Sequence, residues 1–160
     1  MKSPATRTAS AILAAKQIAG FIAKFEPANA KLIRECRAEI RKLLPTAVEL
    51  VYDNYNFFVI GYCTTERASD CILSIAAAAN GVGLSFYHGA SLPDPRHLLL
   101  GSGKQNRYVR LPGVETLRSA GVLALINAAV AQAEPPLPSQ GGGHTVIKSV
   151  SAKQRPRRKT

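Results

Sequence analysis

Residues 48–88 read "VELVYDNYNFFVIGYCTTERASDCILSIAAAANGVGLSFYH", and this stretch decides the fold class. Short segments rich in Val, Ile, Phe and Tyr alternate with polar or glycine-containing connections, a pattern typical of strands and hairpin turns. The predicted strands cover 48–52, 57–63, 71–79 and 82–88. No connection between them is long enough to hold a crossover helix, so we expect antiparallel pairing.

Two helices are predicted before the strands. The first is expected to begin with Ser10 as its cap and to run to about Phe25. The residues expected to dock it are Ile12, Ile18, Ile22 and Phe25. The second is predicted over about 28–44, with its first turn opened by a proline at position 27. An organelle-targeting peptide is the rival interpretation of the N-terminal stretch, which carries basic residues and no acid before position 26.

A fifth strand and a closing helix complete the predicted domain. The segment "NRYVRL" at 106–111 has the apolar and basic alternation of a strand. A last helix is expected from Gly113, with a bent entry because Pro112 precedes it and Gly121 lies within it. The predicted fold class is α+β, with an antiparallel sheet of about five or six strands and helices packed on one face.

The end of the chain differs in composition from the domain, which is predicted over 1–134. Residues 135–143 form a linker, stiffened by proline in its first half and loosened by glycine in its second. Residues 144–160 begin with an alternating segment that either pairs with a sheet edge or stays free, and they end as a basic tail. This last segment holds six Lys and Arg residues and no acid, in a chain of net charge +11.

Cysteine usage and hydropathy indicate the cellular compartment of the protein. The three cysteines form no CxxC and no metal-ligand spacing, so we expect reduced, buried thiols in a cytoplasmic protein without a metal or cofactor. A redox role remains the alternative for Cys63 and Cys71, which flank one connection and can face each other across a hairpin. No apolar run approaches the roughly 20 residues of a membrane span.

Residues 83–111 combine several unusual features. An aromatic-ended strand is followed by Gly-Ala, a Leu-Pro-Asp-Pro turn at 92–95, a Leu-Leu pair, Gly-x-Gly-Lys at 101–104 and a basic-aromatic strand. This combination resembles the YdhG-like family, a bacterial domain of unknown function, and the resemblance extends from about Gln17 to Ala133. It implies a frataxin-type sandwich, and some members are described as intracellular iron chaperones. Many members carry Gly-Met-Pro after the first strand where this chain has "YDNYNFF", so no ligand role is carried over to that loop.

Iron delivery is not favoured by the residues themselves. A weak iron site needs clustered carboxylates, and the chain has ten acids in all. Glu35 and Glu39 share a helix face, but basic residues surround them, and a basic surface repels Fe²⁺. Frataxin-like iron chaperoning is therefore kept only as an alternative function.

Enzymatic functions have little support. The "GSGK" segment lacks the spacing of a P-loop and leads into a strand, so its glycines indicate a tight turn. No Ser, Cys or carboxylate stands at a sequence spacing from His88 that indicates catalysis, which argues against a catalytic triad. We therefore predict no catalytic residue and a non-enzymatic role in binding.

A cluster of polar side chains between the first two strands is the leading candidate ligand site. Its members have hydrogen-bonding capacity, and together with the end of the fourth strand they are expected to line a cleft at the sheet face for a small ligand or a protein partner. The candidate residues are Tyr52, Asp53, Asn54, Tyr55, Asn56, Tyr87 and His88. The competing interpretation is an Asx turn, in which Asp53 and Asn54 bond their own backbone.

Sequence-independent nucleic-acid binding is the second candidate function. Loop and tail cations can neutralise phosphates, and an acidic protein partner is served by the same charges. The candidate contacts are Lys104, Arg107, Arg110, Lys153, Arg155, Arg157, Arg158 and Lys159. No aromatic residue is interleaved with the tail cations, so the tail by itself offers no stacking platform, and a solvated extension is the competing interpretation. The sequence does not indicate an oligomeric state.

Overall fold

A computed structural model describes residues 4–159, and in the first helix it describes the side chains of residue 5 and of residues from 9 onward. The predicted boundaries at residues 1 and 160 lie outside the described residues. The helices are α1 (Pro4–Ile22), α2 (Pro27–Leu43) and α3 (Ala120–Ala131). The strands are β1 (Val48–Asp53), β2 (Phe58–Cys63), β3 (Cys71–Ala78), β4 (Gly81–Phe86), β5 (Arg107–Arg110) and β6 (Thr145–Val150).

The two N-terminal helices differ from the prediction mainly at the start of α1. This helix begins at Pro4, so the prediction of Ser10 as its cap was wrong. Nothing between the two positions breaks a helix, and proline is tolerated in a first turn. Ile12 was also wrongly expected to dock: it is 65% exposed, because Ala14 and Ile18, four residues apart, occupy the buried stripe. The start of α2 at Pro27 is confirmed.

The six strands form one sheet in the order β5-β4-β3-β2-β1-β6. The α+β class is confirmed, and the consecutive strands from β1 to β5 pair antiparallel as expected. The sheet is nevertheless mixed, because β6 runs parallel to β1. The linker brings Gly143 to the carbonyl of Pro45 (N···O 2.9 Å), so β6 enters at the end of the sheet where β1 begins and follows its direction. Residues 145–150 are therefore an edge strand.

Local turn chemistry agrees with the sequence at two places. The tight β3–β4 turn ends at Gly81, whose φ of +135° is a conformation that other residues rarely adopt. The entry to α3 is bent, as predicted, because a short 3₁₀ turn at Val114–Arg118 precedes the helix and Ser119 separates the two.

The buried residues form two clusters. The larger one contains most of the buried helix residues, together with residues from one side of the strands, for example Ile60, Ile75 and Leu84. The smaller one, which we call the second cluster, contains strand residues only: Val48, Leu50, Cys63 and Cys71, with Tyr52 and Val146 packed against them. Alternate strand positions face opposite sides, which explains the division. Packing of the helices on one face alone stays a prediction.

Among the described residues, no helix is both long and apolar enough to cross a membrane.

Candidate functional site

The two groups of predicted ligand residues lie at opposite ends of the sheet. One row of paired residues runs Asp53–Phe58–Ala77–Val82, and the row four residues away ends at Phe86 in β4. Tyr52–Asn56 therefore belong to the β1–β2 hairpin, and Tyr87 and His88 lie about 13 Å away along the strands and three strands to the side. The structure does not bring them into one cleft.

Asp53 is fully buried and serves as the anchor of the hairpin end. Its carboxylate accepts hydrogen bonds from Lys24 Nζ at 2.7 Å and from Arg157 Nη2 at 2.9 Å. Burial is the largest single influence and raises the pKa of Asp53, but the hydrogen bonds from Lys24, Gln154 and Arg157 together hold that pKa below its ordinary value. The carboxylate is thus a charged structural group with its acceptors occupied.

The basic tail is folded onto this hairpin. Gln154 Nε2 and the backbone N–H of Ser151 both donate to the carbonyl of Asp53, at 2.8 and 2.9 Å. Arg157 also donates to the carbonyl of Asn54 at 2.6 Å, and its guanidinium lies 5.9 Å from the centre of the Phe25 ring. Only 4% of Arg157 is exposed, so this predicted nucleic-acid contact is an internal ion-pair partner instead.

Two adjoining grooves lie beside the docked tail. The first, here called the tail groove, has a volume of about 780 Å³ and runs between the β1–β2 and β3–β4 turns and the tail residues Arg155, Pro156, Arg158 and Lys159. The second, the sheet groove, has a volume of about 460 Å³ and lies over β4 and β5. Phe57 and Asn80 line both, so the two grooves share a boundary.

Small residues make the floor of the sheet groove. Ala76, Gly83 and Ser85 carry little or no side chain above the strands, and a Cβ on Gly83 would lie only 3.3 Å from the carbonyl oxygen of Val109. Tyr108 and Arg110 are two residues apart on β5 and therefore project on the same side. The Arg110 guanidinium lies 6.0 Å from the Tyr108 ring centre, so a cation and an aromatic ring stand together at one wall.

The charge of the two grooves has one sign. Among the described residues, none of those lining either groove is Asp or Glu, and four are cations: Arg110, Arg155, Arg158 and Lys159. Phe57 is 49% exposed where the grooves meet, and Arg155 lies 5.8 Å over the ring of Tyr55, which is also 49% exposed. Arg158 is 3.9 Å from Glu26, a carboxylate outside the lining. This arrangement suits an anion that also offers flat rings.

The other predicted cations lie outside the grooves. Arg107 donates to the carbonyl oxygens of Gly103 and Asn106, which orders the loop before β5. Lys104 in the same loop and Lys153 in the tail are exposed. The glycine-rich segment leads into β5, with Gly101 at a φ of +105°, as expected for a turn.

The immediate surroundings of His88 offer far less space. The adjoining cavity has a volume of about 20 Å³, enough for roughly one water molecule. His88 Nδ1 lies 2.9 Å from Gln105 Nε2, and the Tyr87 ring stands edge-on to the imidazole at 4.9 Å. His88 is hydrogen-bonded within the fold, and the cavity that it lines is far smaller than a usual small-molecule site.

Glu49 is a second buried carboxylate that the sequence reasoning did not select. It accepts hydrogen bonds from Arg37 through both oxygens at 3.0 Å, from the Tyr62 hydroxyl at 2.9 Å and from Thr145 Oγ1 at 2.7 Å. Burial is the largest single influence and raises the pKa of Glu49. The hydrogen bonds from Arg37, Thr145 and Tyr62 together bring that pKa below its ordinary value. The signal was present as a single acid inside the apolar strand "VELVY". Its acceptors are occupied, so its role is to hold β6 and α2 to β1.

Residues of the grooves were also missed by sequence reasoning. Phe57 was assigned to a strand, and Asn80, Asn106 and Tyr108 were not selected at all. Tyr108 was detectable in principle, because it shares a strand face with Arg110. Asn80 was not detectable from the sequence, since its position beside the groove with Phe57 depends on the alignment of two hairpins.

Within residues 4–159, no group of three or more His, Cys, Asp or Glu side chains is placed to hold a metal ion. Comparison of the chain with protein-family models, with curated proteins and with solved structures gives no match. The resemblance to the YdhG-like family therefore stays a prediction.

Proposed function

We propose that this chain is a non-enzymatic, cytoplasmic protein that binds single-stranded nucleic acid along the tail groove and the sheet groove. The observation that carries the proposal is the lining of these grooves: four cations, the exposed Phe57 and half-buried Tyr108 rings, and no acid among the described lining residues. The tail contributes as a fixed wall of the groove, which differs from a free basic arm.

Both components of single-strand recognition are available. Arg and Lys side chains neutralise phosphates, which gives an affinity that falls as salt rises. Phe57 and Tyr108 offer ring faces on which unpaired bases can stack. Bases within a duplex are already stacked on each other, so the aromatic residues favour a single strand over a double helix.

A small anionic ligand is the second candidate. The sheet groove alone, at about 460 Å³, falls within the usual size of small-molecule sites, and Ser85, Asn106 and Arg110 give it polar groups. Iron delivery is not favoured, because the two buried carboxylates Asp53 and Glu49 already form ion pairs with Lys and Arg side chains.

The first test is fluorescence anisotropy of a labelled single-stranded oligonucleotide of about 15 nucleotides, of mixed sequence, across a salt series. Wild type is compared with Arg110→Ala and Arg155→Ala, and Arg34→Ala on α2 is the matched control because it removes the same charge from an exposed site outside both grooves. We expect each groove variant to reduce the slope of log affinity against log salt by about 0.7, and the control to leave it unchanged.

Four results would count against the proposal. Absence of binding by wild type at low salt removes nucleic acid altogether. An equal loss in Arg34→Ala shows diffuse attraction to the whole basic surface. Tighter binding of a duplex of the same length shows backbone contact without base stacking. Binding of a free mononucleotide as tight as the oligonucleotide assigns the sheet groove to a small anion.

Truncation of the tail is a poor substitute for these variants. Removal of residues 141–160 also removes β6 from β1 and Arg157 from the buried carboxylate of Asp53. Loss of binding by such a chain would report unfolding as readily as loss of contact.

A further inference from the structure

Cys63 and Cys71 lie directly opposite each other on β2 and β3. Both belong to the second cluster, and both are free thiols. Directly opposed residues of antiparallel strands have Cα atoms about 4.5 to 5.5 Å apart, and a disulfide requires about 4.4 to 6.8 Å. The backbone therefore already holds this pair at the separation of a disulfide.

The sulfur atoms converge beside Gly61. A Cβ built on this glycine would lie 3.3 Å from Cys71 Sγ, 3.6 Å from Cys63 Sγ and 3.5 Å from Ser74 Oγ. Both thiols thus point to the same small space, which the missing side chain of Gly61 leaves open. Both side chains already lie on the same face of the sheet, so neither has to change face before the sulfur atoms can meet.

The strand pairing at this place is able to adjust. Tyr62 pairs with Leu73 and Cys63 with Cys71, so Ile72 is an extra residue in β3 and forms a bulge. The pair is also the last rung before the connection at 64–70. A small change in Cβ separation is therefore absorbed at a sheet end, away from the central rungs.

The two thiols are not equivalent. Cys71 is 9% exposed and its Sγ is 3.4 Å from Ser74 Oγ, and Cys63 is 1% exposed. The hydrogen bond from Cys63 lowers the pKa of Cys71 against the opposing effect of burial, and the same bond together with burial raises the pKa of Cys63. Cys71 is accordingly the better nucleophile.

We propose that Cys63 and Cys71 form a reversible dithiol–disulfide site. The Cys71 thiolate attacks a hydroperoxide and takes its terminal oxygen as a sulfenic acid, and the displaced oxygen leaves as water or an alcohol after protonation. The Cys63 thiol then condenses with the sulfenic acid, an S–S bond forms and water leaves. The two electrons lost by the sulfurs reduce the peroxide, and exchange with an external dithiol restores both thiols.

The test uses the full chain treated with hydrogen peroxide, followed by thiol counting and intact mass. We expect the number of free thiols to fall from three to one, with a loss of two hydrogen atoms in the intact mass. Cys36 on α2 should stay reduced, because it is buried in the protein core, where burial raises its pKa to about 12. Cys36→Ser should oxidise as wild type does. Cys63→Ser should form no internal disulfide and should accumulate Cys71 sulfinic acid, since the second thiol is missing.

Retention of both thiols by folded Cys36→Ser, while the same chain oxidises in denaturant, would overturn the proposal. A disulfide that includes Cys36 would overturn it as well. Wild type and Cys36→Ser suffice for the decision if Cys63→Ser does not fold. The nucleic-acid proposal does not enter this test, so the two succeed or fail separately.

Discussion

The two ends of the sheet carry similar residue types but offer very different surfaces. The hairpin end has tyrosines, asparagines and an aspartate, and it opens into grooves of about 780 and 460 Å³. At the other end, which has Tyr87 and His88, the cavity beside His88 measures only about 20 Å³. Polar and aromatic side chains therefore do not make a site by themselves, because the neighbouring chain must also leave space beside them.

The neighbours explain the difference. At the His88 end, Gln105 and Gln132 reach across and bond the imidazole and the backbone carbonyl, which fills the region with internal contacts. At the hairpin end, Asp53 forms an ion pair with the tail residue Arg157. This contact fixes the tail, which then presents Arg155 and Arg158 to a groove. One buried carboxylate thus sets the position of the surface cations.

Asp53→Ala is expected to give the largest effect. Removal of the carboxylate leaves the Arg157 guanidinium buried without its counter-charge, and breaking such a pair typically costs about 3–5 kcal/mol. Chemical denaturation should show this loss in the free energy of unfolding. The control is Glu66→Ala at the other end of the sheet, where the side chain is 63% exposed and we expect a change below about 0.5 kcal/mol. Equal effects of the two variants would show that Asp53 is not an anchor.

Acid should act on the same anchor. The folded-state pKa values of Asp53 and Glu49 lie below their ordinary values of 3.8 and 4.5, so the stability that they contribute is fully present above pH 4.5 and is lost as pH falls through the folded values. Denaturation midpoints measured from pH 7 downward should therefore decline below about pH 4.5. The decline should be smaller in Asp53→Asn, and an unchanged acid response in that variant would contradict the assignment.

Phe57→Ala sharpens the comparison at the level of binding. Loss of one stacking surface is worth about 1–3 kcal/mol, which corresponds to about 5- to 150-fold weaker binding of the single-stranded oligonucleotide, with the salt slope unchanged. Tyr87→Ala at the opposite end is the matched control, because Tyr87 is also an exposed aromatic residue, at 37% compared with 49% for Phe57. We expect it to bind as wild type does. Equal weakening by both substitutions would place the ligand elsewhere.

Much of the fold was predictable because it rests on local patterns. Apolar periodicity located β1 to β5 and α2, and the proline and glycine positions gave the start of α2 and the β3–β4 turn. The direction of β6 was not predictable, because it depends on where the linker delivers Gly143. The first turn of α1 was missed because a preferred cap residue at Ser10 does not stop a helix from starting earlier.

The site was less predictable than the fold. The sequence located the cations and left the tail as either a contact segment or a solvated extension. The burial of Arg157 was not predicted, because it follows from a contact 104 residues away along the chain. Similarly, the sequence predicted one ligand cluster at Tyr52–Asn56, yet Asp53 is fully buried and Tyr55 is 49% exposed. Strand alternation gives relative faces, but it does not say which partner a buried charge will meet.

The sequence by itself determined the elements, since periodicity, prolines and glycines act within a few residues of chain. It also determined the excess of positive charge and the presence of three thiols without metal-ligand spacing. Only the tertiary structure decided that β6 lies parallel to β1, that Asp53 holds the tail, and that Cys63 faces Cys71 beside a glycine. These arrangements depend on pairings between distant segments, whose free energies arise from burial and charge neutralisation that no local pattern encodes.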